Sequence, residues 1–242
     1  MSQQSTAAAF AEHGTWISRF VIDGIAYGGT FDAVNDTRIV QFWQALPNAR
    51  TILELGSLEG GHTIGLARQP GVKRVLGIEG REKNLARARL AARLMQARKV
   101  EFARADLETT DLKQFGTFDA VFCSGLLYHL PEPWNLLRQF PAISPHLFLW
   151  THYCADEHAD VSVPEYRGRM HLESGIDEPL SGLSADSFWP TLGSLIKMLT
   201  VTGFKSVHIL ENDIKHPEGP AVTIAAFTEN KVASRPLRWW RR

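Results

Sequence analysis

Thr51-Ile52-Leu53-Glu54-Leu55-Gly56-Ser57-Leu58-Glu59-Gly60-Gly61-His62 decides the fold. Ile52, Leu53 and Leu55 form a short apolar run, the pattern of a strand buried on both faces. Gly56, Gly60 and Gly61 let the backbone turn sharply and bring a ligand close to it. Thr63 to Ala67 then starts a helix, whose first amides carry positive dipole character. A strand, a glycine turn and a helix build a nucleotide site at the carboxyl end of an open α/β sheet.

The rhythm continues downstream. Val75 to Ile78 is a second buried strand ending in Glu79-Gly80-Arg81-Glu82. Asn84 to Ala97 is helical, with Leu85, Ala88, Ala92 and Met95 on one face. Val100 to Ala103 is a third strand ending near Asp106, Phe118 to Cys123 a fourth, and Leu147 to Trp150 a fifth. Leu126 to Phe140 holds a loop and a helix. Alternation of this kind predicts a mostly parallel, doubly wound sheet. Residues 152 to 188 break it: the stretch is polar and without clear period, and loops of that length in a compact domain are usually functional or disordered. Pro190 to Thr202 is a helix closed by Gly203, and Phe204 to Leu210 and Ala221 to Phe227 are two final strands.

Upstream, residues 1 to about 12 are small and polar and are expected to fray. Trp16 to Ile22 reads as a strand or extended arm, punctuated by turns at Asp23-Gly24 and Gly28-Gly29. Asp36 caps a helix running to Leu46. The tail from Arg235 to Arg242 is basic and aromatic.

The whole chain bounds the answer further. Its 242 residues suit one α/β domain with insertions. The 26 basic residues balance 26 acidic ones, which argues against a general nucleic-acid binder. Cys123 and Cys154 give neither a disulfide framework nor zinc spacing, so no metal is expected and a cytoplasmic setting is the default. No apolar run is long enough to span a bilayer, and no signal peptide is recognisable.

Glu79 stands 23 positions after Gly56, where a carboxylate can accept from both hydroxyls of a ribose; otherwise it is a solvated turn glutamate. Asp106 either holds an adenine amino group or caps the segment starting at Leu107. Glu54 lies inside a buried strand and needs a partner there, either a cationic group of the ligand or a basic residue such as Arg74. After the fourth strand comes Ser124-Gly125-Leu126-Leu127-Tyr128-His129-Leu130. His129 has the side chain of a general base, or it shapes the loop while Tyr128 packs. Dinucleotide sites carry G-x-G-x-x-G. Here Leu58 stands near the place of the middle glycine, which counts against a diphosphate.

These residues resemble the class I S-adenosylmethionine-dependent methyltransferases. Glu54 to Gly60 looks like their first motif, Glu79 like their ribose-binding acid and Asp106 like their adenine-side acid. Phe118-Asp119-Ala120-Val121 followed by Gly125 to Leu130 looks like their fourth-strand motif. The Leu127-Tyr128-His129 segment is most similar to a subgroup that includes wobble-uridine tRNA-modifying transferases. Leu58 departs from the glycine that many members have.

The resemblance implies an α/β Rossmann-like fold: a doubly wound, mostly parallel seven-stranded sheet with a reversed final hairpin. It implies an N-terminal arm and helix (1–48), a methyltransferase domain (49–230) with an acceptor-side insertion (152–188), and a tail (231–242). S-adenosyl-L-methionine is the implied cofactor, held by Glu54, Gly56, Ser57, Gly60, Glu79, Gly80, Asp106, Leu107 and Ser124. Catalytic candidates are His129, Tyr128 and His152. Tyr153, Arg167, His171 and Trp189 are candidates for the acceptor side, with Tyr166, Arg169 and Glu173 in the same stretch. The leading expectation is methylation of a small-molecule or glycan-type acceptor at oxygen, by a monomer or homodimer without a membrane partner. The alternatives are a tRNA-modifying methyl- or carboxymethyl-transferase and a non-catalytic adenosine-ligand-binding partner protein.

Overall fold

The computed structural model describes residues 2–163 and 165–231. The tail beyond them, Arg235 to Arg242 included, lies outside the described residues. In chain order the elements are α1 (Gln3–Glu12), β1 (Arg19–Ile22), β2 (Ile25–Gly28), α2 (Thr37–Ala45), β3 (Thr51–Leu55), α3 (Gly61–Ala67), β4 (Arg74–Glu79), α4 (Glu82–Leu94), β5 (Val100–Arg104) and β6 (Ala120–Ser124). There follow α5 (Pro133–Leu137), α6 (Phe140–Ile143), β7 (His146–His152), β8 (Val161–Val163), β9 (Tyr166–Leu172), β10 (Asp186–Pro190), α7 (Leu192–Val201), β11 (Ser206–Asp213) and β12 (Ala221–Phe227).

Seven strands form one sheet in the order β11-β12-β7-β6-β3-β4-β5. Five are parallel, and β12 runs antiparallel to both β7 and β11. This is the doubly wound α/β sheet with a reversed final hairpin that the sequence predicts. Side-chain alternation gives each face its own core. Leu53, Leu55, Val121, Cys123 and Leu149 pack with α5, α6 and α7. Ile52, Ala120, Phe122 and Phe148 pack with Ile39 and Phe42 of α2. No helix among the described residues is long and apolar enough to cross a membrane.

Three readings need correction. Residues 3–12 are not frayed but helical: Ser2 caps the helix, and buried Phe10 lies 4.5 Å from the Trp16 ring and 5.3 Å from Tyr27. Tertiary packing outweighs a composition that looks like a loose end. The stretch 152–188 is not irregular throughout, because β8, β9 and β10 form a three-stranded antiparallel sheet in the order β10-β9-β8. Trp189 and Pro190 belong to that sheet, so α7 starts at Leu192, with the Thr191 hydroxyl accepting from Ser194 N–H as its cap.

The N-terminal arm folds as a hairpin around Asp23-Gly24, where both residues have positive φ, and is tied to the first glycine turn. The buried Glu59 carboxylate accepts from Ile17 N–H at 3.0 Å and Ser18 N–H at 2.6 Å. Arg87 of α4 pairs with it at 3.2 Å, and also donates to the His13 carbonyl at 2.8 Å.

Candidate active site

A cavity of about 410 Å³ opens at the carboxyl ends of the parallel strands. Its floor is the glycine turn. Gly60 caps α3 with φ +78°, and a Cβ there would lie 2.8 Å from the Phe102 ring. Leu58 takes a left-handed conformation, φ +49°, and its N–H donates to Glu79 Oε2 at 2.9 Å. A glycine would hold that conformation at lower cost, which is why leucine departs from the pattern without breaking the turn.

Glu79, at the end of β4, also accepts from Arg81 N–H at 2.8 Å. Asn84 Nδ2 reaches Oε1 at a long 3.5 Å; a carboxylate has about four lone-pair sites, so these three donors leave room for a ligand hydroxyl. Burial pushes its pKa up, opposed by those amides and Arg81. Gly80 lets the insertion approach: a Cβ there would meet Leu183 at 2.7 Å. Asp106 lines the cavity while its side chain accepts from Glu108 N–H at 2.9 Å, so it shapes a turn and faces the cavity at once. Leu107 adds an apolar wall.

Gly56, Ser57, Glu79, Gly80, Asp106, Leu107, Ser124, Tyr128, His129 and His152 therefore meet at one cavity. Glu54, Gly60, Tyr153, Arg167, His171 and Trp189 do not line it. Glu54 shares the α3 face of β3, where Thr63 donates to it and His62 lies 3.8 Å away. Burial pushes its carboxyl up to about 8. Arg74, considered above as its partner, pairs with Glu101 instead. The Tyr153 hydroxyl donates to Asn212 at 2.9 Å. Arg167 is exposed on β9 and gives its N–H to Ser194. Trp189 stacks behind His152 at 5.3 Å, and His171 lies against Trp189 at 4.9 Å.

The end of the cavity beyond β6 and β7 is aromatic. Tyr128 sits 4.2 Å from His129 and 4.7 Å from His152, with Trp150 5.1 Å from His152. Burial pushes the Tyr128 phenol up to about 12, so it stays protonated near neutrality. His152 Nδ1 donates to the Gly219 carbonyl at 2.9 Å.

His129 Nδ1 faces both oxygens of Glu173, at 3.1 and 3.0 Å. A carboxylate only accepts, so Nδ1 carries the proton and Nε2 the lone pair. Burial lowers the His129 pKa, partly opposed by Glu173. Burial alone would raise Glu173, but the Gly182 N–H, the Ser187 hydroxyl, His129 and the Ser181 hydroxyl hold it below the usual range.

Sequence reasoning placed Glu173 in the acceptor stretch but did not pair it with His129, 44 positions earlier. It missed Arg38, Trp150 and the cavity-facing segment Pro179 to Leu183. Arg38 carried a signal only in hindsight, as a charge at the start of an amphipathic helix.

Ser18 Oγ, Ser57 Oγ and Glu108 Oε1 are buried and have no hydrogen-bond partner among the described residues, and all three residues line the cavity. Buried polar groups without partners are rare, and a polar ligand satisfies them. Together with Glu79 they fit a nucleoside joined to an amino acid.

A methyltransferase-domain family model matches residues 53–142. The chain is 35% identical to the N-terminal domain of EvdMO1, whose crystal structure was determined in the presence of SAH (S-adenosylhomocysteine) and D-fucose. The match covers 95% of this chain and 98% of that one, with a TM-score of 0.85. The chain belongs to the class I S-adenosylmethionine-dependent methyltransferases. A second structure of the EvdMO1 domain, 34% identical, has SAH bound. The ubiquinone biosynthesis O-methyltransferase of Bordetella avium (strain 197N) is 31% identical over 113 residues, 46% of each chain, so this methyltransferase matches less than half of that curated relative.

Glu79→Ala in this methyltransferase is expected to weaken SAH binding by about 1–3 kcal/mol, the range for lost charged hydrogen bonds. Calorimetry checks it, and an unchanged affinity would remove Glu79 from the cofactor site.

Proposed function

We propose that the enzyme methylates a hydroxyl group of a sugar-type acceptor, with His129 as general base and Glu173 as its positioning residue. The observation that carries this reading is the His129–Glu173 pair, in which His129 lines the cavity, Glu173 holds its Nδ1 from behind, and the ring's second nitrogen is left to take a proton. S-adenosylmethionine, when bound, would supply an electrophilic methyl carbon, to which the acceptor oxygen bonds as the carbon–sulfur bond breaks in line and S-adenosylhomocysteine leaves.

His129 Nε2 removes the proton from the acceptor hydroxyl as the oxygen–carbon bond forms. The imidazolium that results is stabilised by the Glu173 carboxylate. Tyr128, Trp150 and His152 offer ring faces and edges against which the apolar C–H faces of a sugar pack. A sugar acceptor is also consistent with the D-fucose used with the EvdMO1 domain. Alignment of the two reactants in a dry cavity provides most of the remaining acceleration.

The sign of the pH dependence follows from the pair. His129 must be neutral to accept, and burial holds its pKa below 6.5. Turnover is therefore flat near neutrality and falls as pH drops below 6.5. Glu173→Gln removes the anion that raises this pKa, so the acid limb moves to lower pH while the plateau falls. An acid limb that does not move would remove Glu173 from this role.

Incubation with S-adenosylmethionine and D-fucose, or glycosides bearing it, tests the whole reading by mass spectrometry of the methylated sugar. Release of S-adenosylhomocysteine with no sugar tested would count against it. The wobble-uridine alternative requires tRNA affinity that weakens steeply with salt. Lack of tRNA binding at low salt removes it.

A further inference from the structure

One short loop joins the β4 end of the cavity to the β6 end. Residues 174–184 leave β9 and return into β10, and the foot of the loop is closed. Leu172 pairs there with Asp186, and Glu173 N–H donates to the Ala185 carbonyl at 2.9 Å. A compact surface loop whose ends meet is an Ω-loop, a form that is frequently functional. Pro179 to Leu183 lines the cavity, as do Arg81 and His129.

The loop is held from two sides, and Gly182 is the residue they share. From beyond β4, the Arg81 guanidinium donates to two main-chain carbonyls, Nε to Ile176 at 3.0 Å and Nη2 to Gly182 at 2.9 Å. The Arg81 main-chain N–H goes separately to Glu79. From the foot of the loop, the Glu173 carboxylate accepts from Gly182 N–H at 2.6 Å and from the Ser181 hydroxyl at 2.9 Å. Gly182 also presses on the segment that carries the base, since a Cβ there would lie 2.6 Å from the His129 carbonyl oxygen. Hydrogen bonds thus run without a break from Arg81 through Gly182 and Glu173 to His129 Nδ1.

This line decides where the Glu173 carboxylate sits. Among the described residues three groups besides His129 donate to it. Two of them, the Ser181 hydroxyl and Gly182 N–H, belong to the loop, and the Ser187 hydroxyl of β10 is the third. The outer part of the loop buries little: Ser174, Ile176, Asp177, Glu178 and Leu180 are exposed. A segment with so few buried contacts opens at low cost unless polar bonds hold it. Both bonds from Arg81 have a charged donor, the stronger class. Ser184, which donates to Glu108 at 2.7 Å, adds one further tie.

We infer that Arg81 is a positioning residue for His129. It fixes the 174–184 loop at the end of β4, the loop fixes the Glu173 carboxylate, and Glu173 fixes the imidazole with its proton on Nδ1. The inference rests on the reading of His129 as the general base.

NMR of the imidazole nitrogens tests it without turnover. Above neutral pH the native protein is expected to show His129 as the Nδ1–H tautomer, because the ring nitrogen facing a carboxylate keeps the proton. Its signals are identified by their loss in His129→Ala. Arg81→Met removes both loop bonds and leaves the main-chain bond to Glu79. It is expected to shift His129 toward the Nε2–H tautomer while the other histidines, His152 among them, keep their native signals. Arg81→Lys, which keeps a charged donor without the fork, restores part of the native pattern. Unchanged His129 signals in Arg81→Met would overturn the inference. A shift shared by every histidine marks general loosening and would overturn it too. In turnover of D-fucose, Arg81→Met is expected to lower kcat by roughly 10-fold or more in the native background. Added to His129→Ala it should change kcat by less than about twofold, because a residue that acts through the base has nothing left to position. Equal losses in both backgrounds would count as an overturning result. A native-like kcat in His129→Ala would instead strike the base reading beneath the inference. The tautomer comparison decides the role of Arg81 whether or not D-fucose is the acceptor.

Discussion

His129→Ala lowers turnover by roughly 10²–10⁴-fold, the range for loss of a positioned general base, and leaves SAH affinity unchanged. The reason lies in where His129 sits. It ends the short 3₁₀ turn Leu127–His129, beyond β6, while Glu79 and the glycine turn, which we propose hold the nucleoside, lie across the sheet at the ends of β4 and β3. Among the described residues its side chain hydrogen-bonds only to Glu173, so deletion removes a proton acceptor without breaking any hydrogen bond of Glu79 or the glycine turn. Single-turnover kinetics separate this from slower binding. Parallel loss of turnover and of SAH affinity would show that His129 holds the loop rather than the proton. Partial recovery with added imidazole would support the base directly.

The second large effect concerns stability. Arg87→Met is expected to cost about 3–5 kcal/mol, because it strands the Glu59 carboxylate in the interior. Arg87 and Glu59 side chains are only 2% and 0% exposed. For a chain of this length the change lowers the melting temperature by roughly 6–20 °C. The double change Glu59→Gln with Arg87→Met should cost less than Arg87→Met alone, since no buried charge is left unpaired. Thermal denaturation of the three proteins checks the order. Equal melting temperatures for the native protein and Arg87→Met would show that the arm is held by its aromatic cluster of Phe10, Trp16 and Tyr27.

The sheet was legible because its strands are apolar, separated by glycine turns or helices, and long enough for period to show. That Gly56, Glu79 and Asp106 meet at one cavity was legible for the same reason: they follow strand ends, and strand ends are readable. The acceptor side was not. The cavity walls there come from separated segments, 124–130, 150–152, 179–183 and 216–218, which the fold brings together and no local pattern announces. Glu54 illustrates the other failure. Its charge in a buried strand suggested a ligand contact, but strand alternation turns it to the α3 face, where a neutral carboxyl meets Thr63. The α1 helix failed in the opposite sense. A weakly amphipathic segment takes its order from Phe10, a single buried aromatic residue.

The insertion leaves and rejoins the sheet at one point. Cys154 N–H donates to the Pro190 carbonyl at 2.8 Å, and Cys154 forms a parallel bridge with Thr191, just before α7. The 36 residues between, 155 to 190, are therefore a closed excursion whose ends already touch. Segments of that shape can be exchanged between related proteins without moving the frame that carries them, since the chain ends meet the same gap. Glu173 and the segment Pro179 to Leu183 travel inside it, whereas His129 stays with the frame. One recombination event could thus replace this part of the cavity wall together with the Glu173 partner of His129 and keep Gly56 and Glu79 untouched.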